Sequence, residues 1–370
     1  MEPMNLSILS KLYLLVTIIL AIACESIPEV DTNLNQDSIP EYQLFISDSF
    51  GVEIGDSLHM IGSIQNICHH PNGSVLLLDR TVLCLRVVPR NGNAYRILRN
   101  GEGPGELLGP QGLCVLGDGR ILIPDMYKRQ IMTYDEQGAY LGAYYPSDGK
   151  PPTQIFPVDS SSIVGIMFDN KMVDEEPQLC YSLDRYNSSI EPSVNYYLLN
   201  FEVTGWDESV RAIDALDFYA SREGHVYIAK DFTEYKIDVY KPDGMLWYQI
   251  ENIVERLQKT DEQIQNEIQE YEEFAVNDAS YSGGYQPPLY TQLISIIGVD
   301  SDGFLWIQRY DFETGYHFDL WDSSGTQVHT AYLPNIATNI EIQFLIDEYG
   351  MIGAVVDSDD YPRLYYIDIE

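Results

Sequence analysis

Ser301-Asp302-Gly303-Phe304-Leu305-Trp306-Ile307 sets a tight glycine turn directly ahead of an apolar strand, and the arrangement returns along the chain. Pro71-Asn72-Gly73 precedes Val75 to Asp79, Gly117-Asp118-Gly119 precedes Ile121 to Asp125, Arg222-Glu223-Gly224 precedes Val226 to Ile228, and Glu348-Tyr349-Gly350 precedes Met351 to Val355. Gly73 and Gly119 lie 46 residues apart, and Gly303 and Gly350 lie 47 apart. A second glycine follows the first four at nearly fixed distance: Gly92, Gly138, Gly244 and Gly325. Each stands in an Asn-Gly, Gln-Gly, Asp-Gly or Ser-Gly pair after an apolar strand, the signature of a hairpin turn that needs positive φ. Six residues ahead of each first glycine is an apolar side chain, namely Ile67, Leu113, Phe218, Ile297 or Phe344.

Each unit therefore reads as four antiparallel strands, A to D, with glycine turns between A and B and between C and D. Units of about 40 to 50 residues that cannot bury both faces alone imply a β-propeller. Five units are countable, and a degenerate sixth falls between Pro157 and Ala212, with Ser161 to Phe168 resembling strand B and Asn195 to Leu199 resembling strand C. The last unit stops three strands in, at Tyr365 to Ile369, while Tyr42 to Ile46 is a spare strand ahead of the first unit. Pairing the two removes the open edge of the array. The expected fold is an all-β six-bladed propeller of four-stranded antiparallel blades over residues 41 to 370, with one helical insertion.

Gly101-Glu102-Gly103-Pro104-Gly105-Glu106-Leu107 with Pro110, then Gly119 to Asp125 and Tyr134 to Gly138, resembles the six-bladed propeller lipoproteins of Bacteroidetes-like bacteria, relatives of NHL-repeat and TolB-like propellers. The resemblance implies a fold and no particular activity, since propellers host many unrelated functions.

Residues 251 to 290 depart from the strand pattern. Thr260-Asp261-Glu262-Gln263 is a capping box, and Ile264, Ile268, Tyr271 and Phe274 or Ala275 recur at helical spacing. A Gly, Pro and Tyr-rich loop follows, containing Tyr281, Tyr285 and Tyr290. The segment follows a D strand, so topology places it with the B-C loops and D-to-A crossovers on one face of the disc. That crossover face also carries Glu102 and Glu106 of the Gly-rich loop and the B-strand ends Asp79, Asp125, Lys230, Asp231, Arg309 and Asp311. These residues, with Tyr281 and Tyr285 of the insertion, are the candidate ligand-binding face; for the Asp side chains the competing role is capping their own B-C turns.

Other chemistries find little purchase. The Gly-rich loop contains Pro104, two carboxylates and no Lys, unlike a phosphate loop, and the chain has no Gly-x-Ser-x-Gly. No catalytic residue is assigned. His69 and His70, neighbours at a strand end, point to opposite faces and cannot chelate together. No cofactor is expected, although calcium remains open because carboxylates are abundant; Asp357-Ser358-Asp359-Asp360 is the densest cluster and reads as a solvated turn in preference to a calcium site. Cys68, Cys84, Cys114 and Cys180 are even in number, with buried thiols the default, and Cys68 and Cys114 hold equivalent places on adjacent A strands.

At the N-terminus, Lys11 is followed by an uncharged run from Leu12 to Ala23 and then Cys24. The run is too short to cross ~30 Å of hydrocarbon and fits a signal peptide over residues 1 to 23. Ala21-Ile22-Ala23-Cys24 resembles a bacterial lipobox apart from the small Ala21, so Cys24 is the expected lipidation site, with ordinary cleavage the alternative. Residues 24 to 40 form a polar tether. The expected address is the cell envelope, on the periplasmic side or the outer-membrane surface. If Cys24 carries the lipid, Cys24→Ala should release the protein from the detergent-soluble membrane fraction, as fractionation and intact mass would show; unchanged membrane retention with a processed N-terminus would overturn it.

The 370 residues carry 57 acidic and 21 basic side chains, a net charge of -36, with 28 Tyr among 12% aromatic residues. That aromatic content excludes a disordered chain, and the acidity excludes nucleic acid as a partner, because phosphate binding needs clustered Lys and Arg. The acidity fits either solubility in a saline habitat or a cationic ligand. The sequence thus points to a secreted, lipid-anchored binding or scaffold module for a cell-envelope protein, a peptide or a glycan, touching membrane only through its anchor. The alternative is a calcium-dependent, lactonase-like hydrolase or lyase using the same face, as the family resemblance allows.

Overall fold

The computed structural model describes residues 39–146, 150–173, 176–202, 216–277, 287–334, 336, 340–357 and 361–370. The leader, Cys24 and most of the tether lie outside the described residues, as do Tyr281, Tyr285 and the cluster Ser358 to Asp360.

Four antiparallel sheets of four strands follow one another. They are β2 to β5 (Ile64–His69, Val75–Asp79, Cys84–Val88, Tyr95–Arg96), β6 to β9 (Cys114–Val115, Ile121–Asp125, Gln130–Tyr134, Tyr140–Tyr144), β10 to β13 (Thr153–Pro157, Ile163–Val173, Glu176–Tyr186, Pro192–Glu202), and β14 to β17 (Asp217–Ala220, Val226–Ala229, Lys236–Tyr240, Leu246–Glu251). The remaining strands are β1 (Glu41–Phe50), β18 (Ile294–Val299), β19 (Leu305–Arg309), β20 (Tyr316–Trp321), β21 (Gln327–Leu333), β22 (Glu341–Asp347), β23 (Gly350–Asp357) and β24 (Leu364–Ile369). They form one closed eight-stranded sheet in the order β1-β21-β20-β19-β18-β22-β23-β24.

The glycines act as the spacing requires. Gly73, Gly119, Gly224 and Gly303 all have φ between 83° and 87°. In each case the glycine amide donates to the carbonyl three residues back, at 2.8 Å for His70, 2.9 Å for Leu116 and Ser221, and 3.1 Å for Asp300. One turn geometry is thus used four times, at a φ that side chains with a Cβ rarely adopt.

Packing explains why no unit stands alone. The second strands Val75–Asp79 and Ile121–Asp125 are buried along their whole length, because each sheet is covered by a neighbour on both faces. Leu76, Leu78 and Leu85 of the first sheet meet Val115, Ile121, Ile123 and Met132 of the second. Val164 and Leu183 of the third sheet meet Phe218 and Ile228 of the fourth, and Ile237 and Val239 of the fourth meet Leu305, Ile307 and Trp321 of the closed sheet. Ile352, Ala354 and Leu364 of the closed sheet return to Ile64, Ile67 and Leu77 of the first, so the core is continuous around an axis. The inner strands β2, β6, β10, β14, β18 and β22 line that axis in sequence order, with β22 again beside β2.

The expected pairing between the two ends of the chain is present: Leu44 to Phe50 run antiparallel to Leu364 to Ile369. The expected six separate blades are corrected. The propeller-like part has four free-standing four-stranded sheets, and the final strands are joined in the closed eight-stranded sheet. Two parallel joints cause the difference. β1 is longer than its sequence pattern suggested, and its first residues Glu41, Tyr42 and Gln43 pair with Thr330, Ala331 and Tyr332 of β21. At the other end Gly298 pairs with Ile346, and a Cβ on Gly298 would lie 1.9 Å from the Ile346 carbonyl oxygen, so glycine alone permits the joint. A second correction concerns the third sheet. Its third strand is Glu176–Tyr186, and the stretch Asn195 to Leu199 lies in the outer strand β13 instead. β11 and β12 are eleven residues each, and neither tight turn of this sheet carries a glycine: β10 and β11 are joined through Asp159 to Ser161, and between β12 and β13 a positive φ of 58° falls on Ile190.

The described residues include one helix, α1 (Asp261–Asn277). Thr260 and Gln263 cap it reciprocally: the Gln263 amide donates to Thr260 Oγ1 at 3.2 Å, and the Thr260 amide to Gln263 Oε1 at 2.8 Å. Ile264, Ile268 and Tyr271 are half-buried on one stripe. The base of the insertion is tied down by Arg256, which pairs with Glu234 and Asp231 of the B-C loop after β15 and lies over the Tyr290 ring. No described helix is long and apolar enough to cross a membrane.

Candidate functional site: an axial cavity

The crossover face is held together by the acidic residues at the ends of the B strands. Asp79 is fully buried; its Oδ1 accepts the amides of Thr81 at 3.1 Å and Val82 at 3.3 Å, and its Oδ2 accepts the Gly62 amide at 3.1 Å. Asp125 repeats the device, with Oδ1 on the Lys128 amide at 3.0 Å and Oδ2 on the amides of Leu108 at 2.8 Å and Gly109 at 3.0 Å. Each carboxylate fastens its own B-C turn to the preceding crossover. Asp79 is also paired with buried Arg86, which donates to it from Nε at 3.0 Å and Nη2 at 2.8 Å.

The other sequence candidates are similarly engaged. Lys230 Nζ lies 2.6 Å from buried Asp238, and Asp231 caps Thr233 through its amide at 2.9 Å and hydroxyl at 2.7 Å. Arg309 makes a two-pronged pair with Asp311 and reaches Asp319 at 3.5 Å. Asp319 in turn accepts the Tyr235 hydroxyl at 2.7 Å. Glu106 accepts the Gly103 amide at 2.9 Å and Arg99 Nε at 2.8 Å, and these two contacts hold its carboxyl below the usual range. The Gly-rich loop is thereby a closed structural turn, with Glu102 exposed at its edge. None of these side chains lines the axial cavity.

That cavity, of about 400 Å³, lies on the axis and is walled chiefly by the inner strands. Its polar wall comes from the beginnings of those strands: Gln65 and Asn66 in β2, Gln154 in β10, Asp217 in β14, Ser295 in β18, and Glu341 and Gln343 in β22. Gln308 and Tyr310, at the end of β19, complete it with Gln292. An inner strand begins where a crossover ends, so the cavity belongs to the crossover face. Gln154, Glu341 and Gln343 are exposed at its mouth, Tyr310 is 38% exposed, and Asp217 and Ser295 are half-buried. The described helix contributes no side chain to the wall.

Asp217 is the chemical centre of this wall. Its Oδ2 accepts the Ile296 amide at 2.6 Å and the Ser295 hydroxyl at 3.0 Å, which ties β14 to β18. Loss of water around the carboxyl raises its pKa to about 6, against the lowering effect of those bonds. The Tyr310 hydroxyl is pushed upward first by burial and then by the negative charges of Asp217 and Glu341. Two cavity acceptors have no protein partner. The Gln65 side chain donates its Nε2 to the Pro110 carbonyl at 2.9 Å, which fixes the amide so that the unpartnered Oε1 is its acceptor end; Asn66 Oδ1 is likewise buried and unpartnered.

Raising the pKa of Asp217 has a consequence for stability. The fold favours the protonated acid, so the group's stabilising contribution is complete below about pH 4 and is lost as pH rises through about 6. Both bonds go to one oxygen, so Asp217→Asn keeps an acceptor for them. The substitution should stabilise the protein at pH 8 by on the order of 2 kcal/mol, with the gain vanishing near pH 4, as urea denaturation at the two pH values would show. Equal destabilisation at both pH values would show that the carboxylate's bonds outweigh its desolvation.

Below the cavity a smaller void of about 50 Å³ is lined by Cys68, Cys114, His69, Arg222 and Asp347. His69 Nδ1 lies 2.8 Å from Asp347 Oδ1, and Arg222 pairs with Glu348 at 2.6 Å. His70 faces elsewhere, toward the Gly119 carbonyl at 3.3 Å, and both imidazoles are buried rather than exposed at the surface. All four described cysteines are free thiols, and burial pushes the pKa values of Cys68 and Cys114 up, away from reactivity. Among the described residues no group of three or more His, Cys, Asp or Glu side chains is placed to hold a metal ion.

Comparison with known proteins locates the fold. No family model matches the chain, and no curated protein matches it. Among solved structures, the chain is similar to a Bacteroides fragilis protein described as exported, at 14% identity and a TM-score of 0.53, over 92% of this chain and 98% of that one. It is also similar to a member of the DUF4221 family from Bacteroides vulgatus, at 9% identity and a TM-score of 0.51, over 88% and 98% of the two chains. These likenesses concern the fold alone. The kinship with NHL-repeat and TolB-like propellers is corrected: no family model supports it, and the separate sheets number four beside the closed one.

Proposed function

We propose that this chain is a binding module whose ligand enters the axial cavity from the crossover face. The observation that carries this reading is Asp217: a carboxylate with a raised pKa, facing a 400 Å³ cavity that also contains two unpartnered acceptors. Groups kept at a cost in stability inside a concave, polar-lined pocket are candidates for binding. The volume suits a small ligand or the end of a glycan or peptide chain, which narrows the partner classes read from sequence. Lipid attachment at Cys24 would place the module at the cell envelope, and that placement rests on the N-terminal sequence. The calcium-dependent hydrolase or lyase is not favoured, because the described carboxylates are engaged by turns and ion pairs and do not converge as a ligand set.

Incubation of the full chain on glycan and peptide arrays tests the reading. Discrete ligands, displaced by the same ligand in solution, are expected; a folded protein that selects nothing on either array overturns it.

A further inference from the structure

The formal charge on the described cavity wall is of one sign. The wall carries the carboxylates Asp217 and Glu341, and among the described residues no Lys, Arg or His contributes to it. Its unpartnered buried atoms, Gln65 Oε1 and Asn66 Oδ1, are both acceptors. The orientation of Gln65 is set by its bond to the Pro110 carbonyl, so that acceptor cannot be exchanged for a donor without breaking the bond. Phe156 and Tyr310 add ring surface beside these groups. The surrounding protein, at a net charge of -36, adds a negative field that concentrates cations and repels anions.

We propose that the cavity takes a small polyhydroxylated amine, an amino sugar with its ammonium group free, binding the ammonium between the carboxylates of Asp217 and Glu341 and the sugar hydroxyls on the amide acceptors. The inference rests on the reading of the cavity as the ligand site and adds the chemical class of the ligand. An ammonium supplies three donors and a positive charge, which match a wall whose described charges are carboxylates and whose unpartnered buried atoms are acceptors. An acetylated amine loses the charge, keeps one N–H donor and adds bulk, while the hydroxyl of glucose at the same position keeps the size and one donor but has no charge. Anionic ligands are disfavoured twice, by the wall and by the overall field.

The inference is tested by calorimetric titration of the full chain with glucosamine, N-acetylglucosamine, glucose and glycylglycine at pH 7.5 and low salt. Glucosamine should bind about tenfold or more tightly than N-acetylglucosamine or glucose, and Asp217→Asn should remove that preference while remaining folded. Gln343→Trp, which fills the mouth from an exposed position, should abolish glucosamine binding. Equal affinity for all three sugars, still blocked by Gln343→Trp, would overturn the ammonium proposal and leave the cavity as the site. Sugar binding unaffected by Gln343→Trp would overturn the cavity itself. Saturable binding of glycylglycine with no sugar bound would overturn the sugar in favour of a peptide amine, and binding of none of the four would overturn the proposal outright.

Discussion

Deletion of residues 41–47 is expected to abolish cooperative unfolding and to produce soluble aggregates. Glu41, Tyr42 and Gln43 supply the parallel joint to β21, and Leu44 to Ile46 pair with Ile367 to Ile369. Without them the closed sheet has two open edges, each a template for pairing with another chain. Leu44 is also a core residue, 2% exposed among Trp306, Phe318 and Ile367, and its loss alone should cost about 3 kcal/mol. Calorimetry with light scattering checks the outcome: a broadened, lower transition with aggregation is expected, and a melt matching the intact chain would contradict the closure.

The second large effect is expected at Asp79. Arg86 is 1% exposed, and besides Asp79 it donates to the carbonyls of Ser57 at 3.2 Å, Leu58 at 2.9 Å and Met60 at 2.6 Å. Asp79→Ala leaves that guanidinium buried without a counter-charge and frees the amides of Gly62, Thr81 and Val82, for an expected loss of about 4 kcal/mol. Asp125→Ala is the internal control. Asp125 fastens the same kind of turn, but the strand position equivalent to Arg86 is Met132, so only backbone bonds are lost, at about 2 kcal/mol. Denaturant midpoints of the two variants should differ accordingly; equal losses would show that the arginine finds compensation in the three carbonyls.

The repeat was legible because the turns demand positive φ, and glycine is the residue that supplies it cheaply. Gly73, Gly119, Gly224 and Gly303 therefore wrote the strand boundaries into the sequence. The third sheet was not legible to the same degree, since its A-B turn at Asp159 to Ser161 has no glycine and its C-D turn puts the positive φ on Ile190. The closed eight-stranded sheet was hidden for a different reason: its joints depend on non-local hydrogen bonds from Glu41–Gln43 and Gly298, which no local pattern announces. The site followed a similar course. Topology identifies the crossover face, but the carboxylates at its B-strand ends are taken up by amides and arginines. The cavity wall sits one or two residues before the apolar marker of the inner strands: Gln65 before Ile67, Asp217 before Phe218, Ser295 before Ile297 and Gln343 before Phe344. Polar residues recurring there were the available signal, because these positions stand at the starts of the inner strands, which surround the cavity.

Under the proposed function, ligand recognition resides in the axial cavity and not on the surrounding rim. It is tested most directly by comparing glycan-array binding of the full chain with that of Gln343→Trp, which obstructs the cavity mouth, and Glu102→Gln, which alters the exposed edge of the Gly-rich loop. The array signal is expected to disappear with Gln343→Trp and to be unchanged with Glu102→Gln. A signal that survives the obstructed cavity and is lost with Glu102→Gln would contradict it.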